Sequence, residues 1–146
     1  MISVTTYLKV NDAFIEFHEY KDTLNKVNYI EGALELTING IMLIDKTMWD
    51  YIDQLWAYIV NGVESILNDQ PFETYFPDQP IKLKAIPSNE NIIFSVECDT
   101  EKKVFINRRY FIETMASSAI EFFDFLRKKN QSFDSDYKNI LVRLQR

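Results

Sequence analysis

The sequence predicts one α+β domain spanning residues 1–146: a mostly antiparallel sheet of about seven short strands, two main helices on one face and a short C-terminal helix. Three stretches carry that prediction. Residues 48–67, MWDYIDQLWAYIVNGVESIL, repeat their apolar residues at helical spacing; LELTINGIMLI, residues 34–44, reads as two strands around Asn39-Gly40; and residues 108–129 are apolar over more than half of a helical circumference. At 146 residues, 47% hydrophobic and 26% charged, the chain can bury a sizeable core without a metal or a disulfide. No repeat, low-complexity run or linker divides it.

In order along the chain, Ile2, Val4, Thr6, Leu8 and Val10 alternate with Ser3, Thr5, Tyr7 and Lys9, a half-buried strand that ends at an Asn11-Asp12 turn. Ala13–Tyr20 reads as a returning strand, and the polar run Lys21–Lys26 as a loop into a third strand over Val27–Ile38. Asn39-Gly40 is the pair that a type I′ hairpin prefers, because both central residues need positive φ, so Ile41–Ile44 forms the fourth strand.

Met48–Leu67 is expected as one uninterrupted helix capped by Thr47 and closed by Asn68, Asp69 and Pro71. Its apolar arc, about 140° wide at 100° per residue, includes Trp49, Trp56, Ile59 and Val63, and both tryptophans are expected inside. The opposite side gathers Asp50, Asp53, Ala57, Asn61 and Glu64 in a strip, with Tyr51, Gln54 and Tyr58 beside it. Gly62 is a tolerated interior glycine, at about 1 kcal/mol relative to alanine.

Residues 71–80, PFETYFPDQP, with three prolines and three aromatics, are expected to be an ordered loop pinned by Phe72, Tyr75 and Phe76, with Glu73 and Asp78 facing solvent. Three short strands follow at Ile81–Ile86, Asn91–Glu97 and Lys103–Asn107. The second helix, Arg108–Lys129, is apolar over about 220° and so needs a second layer, for which Tyr137, Ile140, Leu141 and Leu144 of a terminal helix have the spacing. Arg127-Lys128-Lys129 reads as cations complementing the carboxyl end of that helix.

Composition excludes several function classes. Three glycines, at 32, 40 and 62, cannot build a phosphate-cradling loop. The one histidine, His18, has no metal-ligand or triad spacing and is expected as a hydrogen-bonded strand residue; the one cysteine, Cys98, follows an apolar run and is expected as a buried, inert thiol. No cofactor, metal, nucleic acid or membrane is expected as a ligand, and a single thiol with no leader-like or membrane-length apolar run fits the cytoplasm. The formal net charge of −6 lies wholly within residues 45–78, where Asp45, Asp50, Asp53, Glu64, Asp69, Glu73 and Asp78 face only Lys46. Such asymmetry favours a cationic partner.

The stretch LWAYIVNGVESIL with TYFPDQP resembles, over residues 49–80, small single-domain bacterial proteins of α+β type and, more loosely, the immunity proteins of bacterial toxin systems. That resemblance implies a cytoplasmic, noncatalytic domain that covers the site of a toxin. The residues themselves predict a binding domain that presents Asp50, Tyr51, Asp53, Tyr58, Glu64, Glu73 and Asp78 to a basic protein. On this reading Asp50, Asp53 and Glu64 lie outside the core and tolerate joint replacement by lysine. The alternative is a cryptic enzyme or small-ligand binder with a pocket beneath residues 71–80.

Overall fold

The structure, a computed structural model, describes residues 1–144. Among these, nine antiparallel strands form two sheets that carry three α-helices, so the α+β architecture and the C-terminal helix stand as expected. The first sheet takes β1 (Ile2–Val10), β2 (Ala13–Glu16), β3 (Glu31–Ile38) and β4 (Ile41–Ile44) in the order β2-β1-β3-β4, and the short β5 (Asp50–Tyr51) pairs with β3. The second is a meander of β6 (Phe72–Tyr75), β7 (Lys82–Ser88), β8 (Asn91–Cys98) and β9 (Thr100–Asn107). The helices are α1 (Ile52–Leu67), α2 (Arg108–Lys129) and α3 (Asp134–Leu144).

The hairpin at Asn39-Gly40 forms with φ of 52° and 81° at its two central residues, and Ile38 faces Ile41 across it. β2 and β3 are shorter than their apolar patterns, because the chain leaves the sheet at Phe17–Glu19 in a single 3₁₀ turn and rejoins it only at Glu31. The two strands beyond the expected seven, β5 and β6, come from segments read as a helix start and a loop. β6 is an edge strand, where the prolines on either side of it need donate nothing to a ladder.

The core is continuous across both sheets. Leu34, Leu36 and Ile38 of β3 and Leu83 and Ala85 of β7 are fully buried with Ile52, Trp56 and Phe122 from the helices. Each such large apolar side chain contributes about 1.5–3 kcal/mol on leaving water. Trp56 also satisfies its ring N–H, which donates to Thr6 Oγ1 at 3.0 Å across the α1–β1 interface. α1 and α2 pack on one another and on strands of both sheets. α3, through buried Ile140 and Leu144, and the 3₁₀ turn before it, through buried Phe133, cover α1 and α2, the second layer that the wide apolar arc of α2 required.

The central helix begins later than its periodicity predicts. Asp45 caps a 3₁₀ turn at Lys46–Met48 by accepting from the Thr47 backbone N–H at 2.9 Å, and the chain then runs extended through Trp49 and into β5 before α1 starts at Ile52. In an extended segment side chains alternate, so the faces of residues 49–51 are the reverse of those on a helical wheel. Trp49, expected inside, is 36% exposed; Asp50, expected in water, is 3% exposed.

Candidate functional site

The expected acidic strip is largely an internal structure. The Asp50 carboxylate accepts from the backbone N–H of Tyr51 at 2.7 Å through one oxygen, and from those of Asp78 and Gln79 at 3.0 Å each through the other. It thereby fastens the turn after β6 to the start of α1, and the Gln79 amide donates to the Trp49 carbonyl beside it. Asp53, also buried, accepts from the Ile30 backbone N–H at 3.0 Å; burial pushes its carboxyl above the ordinary aspartate range, against the lowering effect of its backbone hydrogen bonds. The reason is the same in both cases. A short carboxylate on the inner face of a chain reversal supplies acceptors that backbone amides otherwise lack.

The rest of the strip lies against α3. Arg143 donates to Glu64 at 3.0 Å and to the side-chain oxygen of Asn61, and a cavity of about 210 Å³ between α1 and α3 is lined by Asp53, Ala57, Asn61 and Asp136. Glu64 is therefore paired and partly buried, and not an open carboxylate. Glu73 is exposed on β6 and bridges Lys82 at 2.8 Å, which lowers its own pKa and raises that of the lysine, the hydrogen bond being the main cause of both. Asp78 is exposed, and Tyr58 is half-buried on α1. The seven residues thus form no single surface.

Phe76 is buried and the Asp50 carboxylate holds the turn of residues 71–80 from within, while a cavity of about 370 Å³ lies against the start of the segment, lined by Pro71, Phe72, Glu73, Lys84 and Ile86. A larger cavity, about 940 Å³, is an open groove elsewhere, lined among others by Ile66, Ile112, Ile120, Arg108 and Arg109. Arg108 there is already paired with Asp69.

A different surface assembles around Tyr51. β5 pairs with β3 so that Tyr51 faces Glu31, on the outer side of the first sheet. Trp49, two residues earlier in extended chain, shares that side, and the Lys9 ammonium sits 4.5 Å from the centre of its ring. Tyr29, 54% exposed, meets Tyr51 edge to face at 5.2 Å. Tyr7 on β1 adds a fourth ring, under the Lys46 ammonium at 4.4 Å. Its hydroxyl donates to Glu35 at 2.7 Å, and that bond, with burial, pushes the phenol up to about 12. Four rings thus stand on one sheet face among Lys9, Lys46, Glu31 and Glu35. The signal for this site in the sequence was the odd-numbered side of Ile2–Val10 together with the aromatics flanking Asp50.

Two expected inert residues also lie elsewhere. Cys98 ends β8 at the sheet margin and is exposed, because the apolar run before it finishes one residue short of the turn. His18 lies outside any strand, exposed in the 3₁₀ turn, with Nδ1 at 3.1 Å from Glu16 and Nε2 against Glu121 of α2. Its partial burial lowers the pKa, but the two carboxylates together outweigh this and leave it raised. A raised imidazole pKa means that the tie between β2 and α2 is complete below the unfolded value of about 6.5 and is lost as pH rises through the folded value. We expect Glu121→Gln to move the His18 titration midpoint downward, read from its ring proton shifts by NMR; an unmoved midpoint removes Glu121 as a cause.

Among the described residues no cluster of three or more His, Cys, Asp or Glu side chains is placed to hold a metal ion, and no helix is long and apolar enough to cross a membrane. No protein-family model, curated protein or solved structure matches the chain, so the reading of its function rests on the geometry alone.

Proposed function

We propose that this is a noncatalytic protein-binding domain whose docking surface is the outer face of the first sheet, anchored by Trp49, Tyr51, Tyr29 and Tyr7. The observation that carries the reading is the exposure of large amphipathic rings beside strand starts: Tyr29, two residues before β3, is 54% and Trp49, next to β5, 36% exposed. Such residues dominate binding energy at protein interfaces because they offer large contact area for few rotatable bonds. Of the residues read from the sequence, Tyr51 belongs to this surface; Asp50 and Asp53 support it from beneath by holding β5 and the residues before β3.

The partner is basic. The chain's formal net charge of −6 steers a cationic protein toward it over a Debye length, while Glu31 and Glu35 stand among the rings as local acceptors. Occlusion of a cationic toxin's site, as an immunity protein performs, is the sharpest form of this function.

The test is photocrosslinking in the producing cell, with a benzoylphenylalanine at position 51 and, as control, at the exposed Val142 of α3. We expect one protein of net positive charge to be crosslinked from position 51 and not from 142, and Trp49→Ala to weaken its binding at least tenfold, since truncating a packed aromatic anchor costs about 2 kcal/mol or more. An identical crosslinking pattern from both positions overturns the assignment of this face.

A further inference from the structure

The outer face of the second sheet is built to match itself. Register places Ile86, Ile93 and Phe105 side by side across β7, β8 and β9; Glu73, Lys84, Ser95 and Lys103 in the next row; and Tyr75, Lys82, Glu97 and Glu101 in the one after. The opposite parity, with Leu83, Ala85, Ile92, Phe94 and Val104, is buried under the helices. The outer rows face away from the helices; Ser95 at their centre is buried, at 4% exposed, and the residues around it are partly to fully exposed. Phe105 is 59% exposed and Ile86 41% exposed, an apolar row left open among the described residues.

We propose that a second copy of this chain docks face to face on this sheet, about a twofold axis that runs along the strands between β7 and β8. Rotation about such an axis keeps each row over itself and reverses its order. Ile86 then meets Ile93, Lys82 meets Glu97, and Glu73 meets Lys103 of the other copy, each contact occurring twice. Tyr75 offers its hydroxyl to Glu101. Phe105 is carried onto the position beside Pro71, where the cavity of about 370 Å³ lined by Pro71, Phe72, Glu73, Lys84 and Ile86 lies open to receive a ring. The most exposed ring of the meander and its open cavity are thus exchanged by the same operation that pairs the charges.

Lys82, Lys84 and Lys103 balance Glu73, Glu97 and Glu101, and within one chain Lys82 already meets Glu73 and Glu97 and Lys103 meets Glu101, so a partner of one sign gains nothing from this face, whereas a copy of itself extends these exposed pairs across the axis. Stacked sheets keep their strands within about 30°, which the axis satisfies. The strands hold four, seven, eight and eight residues, and at about 4.8 Å between strands and about 3.3 Å per residue they present roughly 430 Å² per copy, below the usual size of a specific interface, so the association expected is weak, at micromolar concentrations.

The test is sedimentation equilibrium of the full chain over a concentration series, with circular dichroism confirming that each variant is folded. Wild type is expected to pass from monomer to dimer across micromolar concentrations, and Phe105→Ser to weaken dimerisation at least tenfold. Lys103→Glu alone and Glu73→Lys alone each place two like-charge pairs across the axis and remain monomeric, while their equimolar mixture restores both pairs and forms a heterodimer. Wild type that stays monomeric at several hundred micromolar, or a mixture that associates no better than its components, overturns the proposal. A dimer indifferent to all of these substitutions places the contact on another face and overturns it as well.

Discussion

Asp50→Ala is expected to destabilise the fold by about 3 kcal/mol, and Asp50→Lys by more, because the change leaves three part-buried backbone N–H groups without their acceptor at once, at the lower end of about 1–3 kcal/mol each. The donors belong to Tyr51, Asp78 and Gln79, so the loss is felt in two places: the β5–α1 junction loosens, and the turn following β6 loses its tether. With a total stability of about 5–15 kcal/mol for a domain of this kind, roughly a fifth or more of it hangs on one carboxylate. Urea denaturation followed by tryptophan fluorescence measures the effect. This replaces the expectation that Asp50, Asp53 and Glu64 can be changed together to lysine without harm: two of the three are buried and the third is ion-paired to α3. A midpoint for Asp50→Ala close to wild type would show that the turn at Asp78 is held by other means.

Gly32→Ala is expected to cost about 3 kcal/mol or more, the upper end of what overpacking a core does. An added Cβ would stand 2.2 Å from the Tyr7 carbonyl oxygen and 2.7 Å from the nearest atom of Ile52. The first of these is backbone in the β1–β3 ladder and cannot turn aside, and the second opens α1, so relief requires the strand or the helix to move. Gly40→Ala provides the contrast. Nothing lies within 4 Å of its missing Cβ, and only its φ of 81° resists, at about 1–2 kcal/mol for a residue with a side chain. Thermal unfolding of the two variants side by side should separate them by several degrees, and equal melting temperatures would contradict the close approach at Gly32.

The elements whose periodicity is uninterrupted were legible: the Asn39-Gly40 hairpin, the meander, α2 over Arg108–Lys129 and the terminal helix that covers it. What could not be read is a change of period. Residues 48–67 scan as one helix because Trp49, Ile52 and Trp56 fall on one arc, yet the first four residues take another conformation, and a four-residue difference in where the helix begins turns Asp50 inward and Trp49 and Tyr51 outward. The exposure expected of Trp49 and Asp50 is reversed at that same place. Gly62 carries a second hidden constraint, since the Phe72 ring of β6 lies 2.5 Å from where its Cβ would be; periodicity within one segment holds no information about a neighbour ten residues away. Asp53 and Glu64 do keep the helical face assigned to them. That face is covered by α3, whose Arg143 lies far along the chain.

The two sheets also differ in how their pairings are distributed along the chain. In the meander every ladder joins strands adjacent in sequence, with Ser88 paired to Asn91 and Cys98 to Thr100 across minimal turns, whereas the first sheet joins Ile2 to Ile38 and depends on α2 to shield β1. Short loops close with little entropy and long ones with more, so the later half of the chain reaches its register fast once it exists. Synthesis, however, delivers the slower half first. At about 5–20 residues per second, the interval between completing β5 and completing α2 at Lys129 is on the order of 4–16 seconds, during which the apolar side of β1 awaits its cover. In the cell this chain is therefore most exposed to aggregation, and most in need of a chaperone's attention, while it is still on the ribosome.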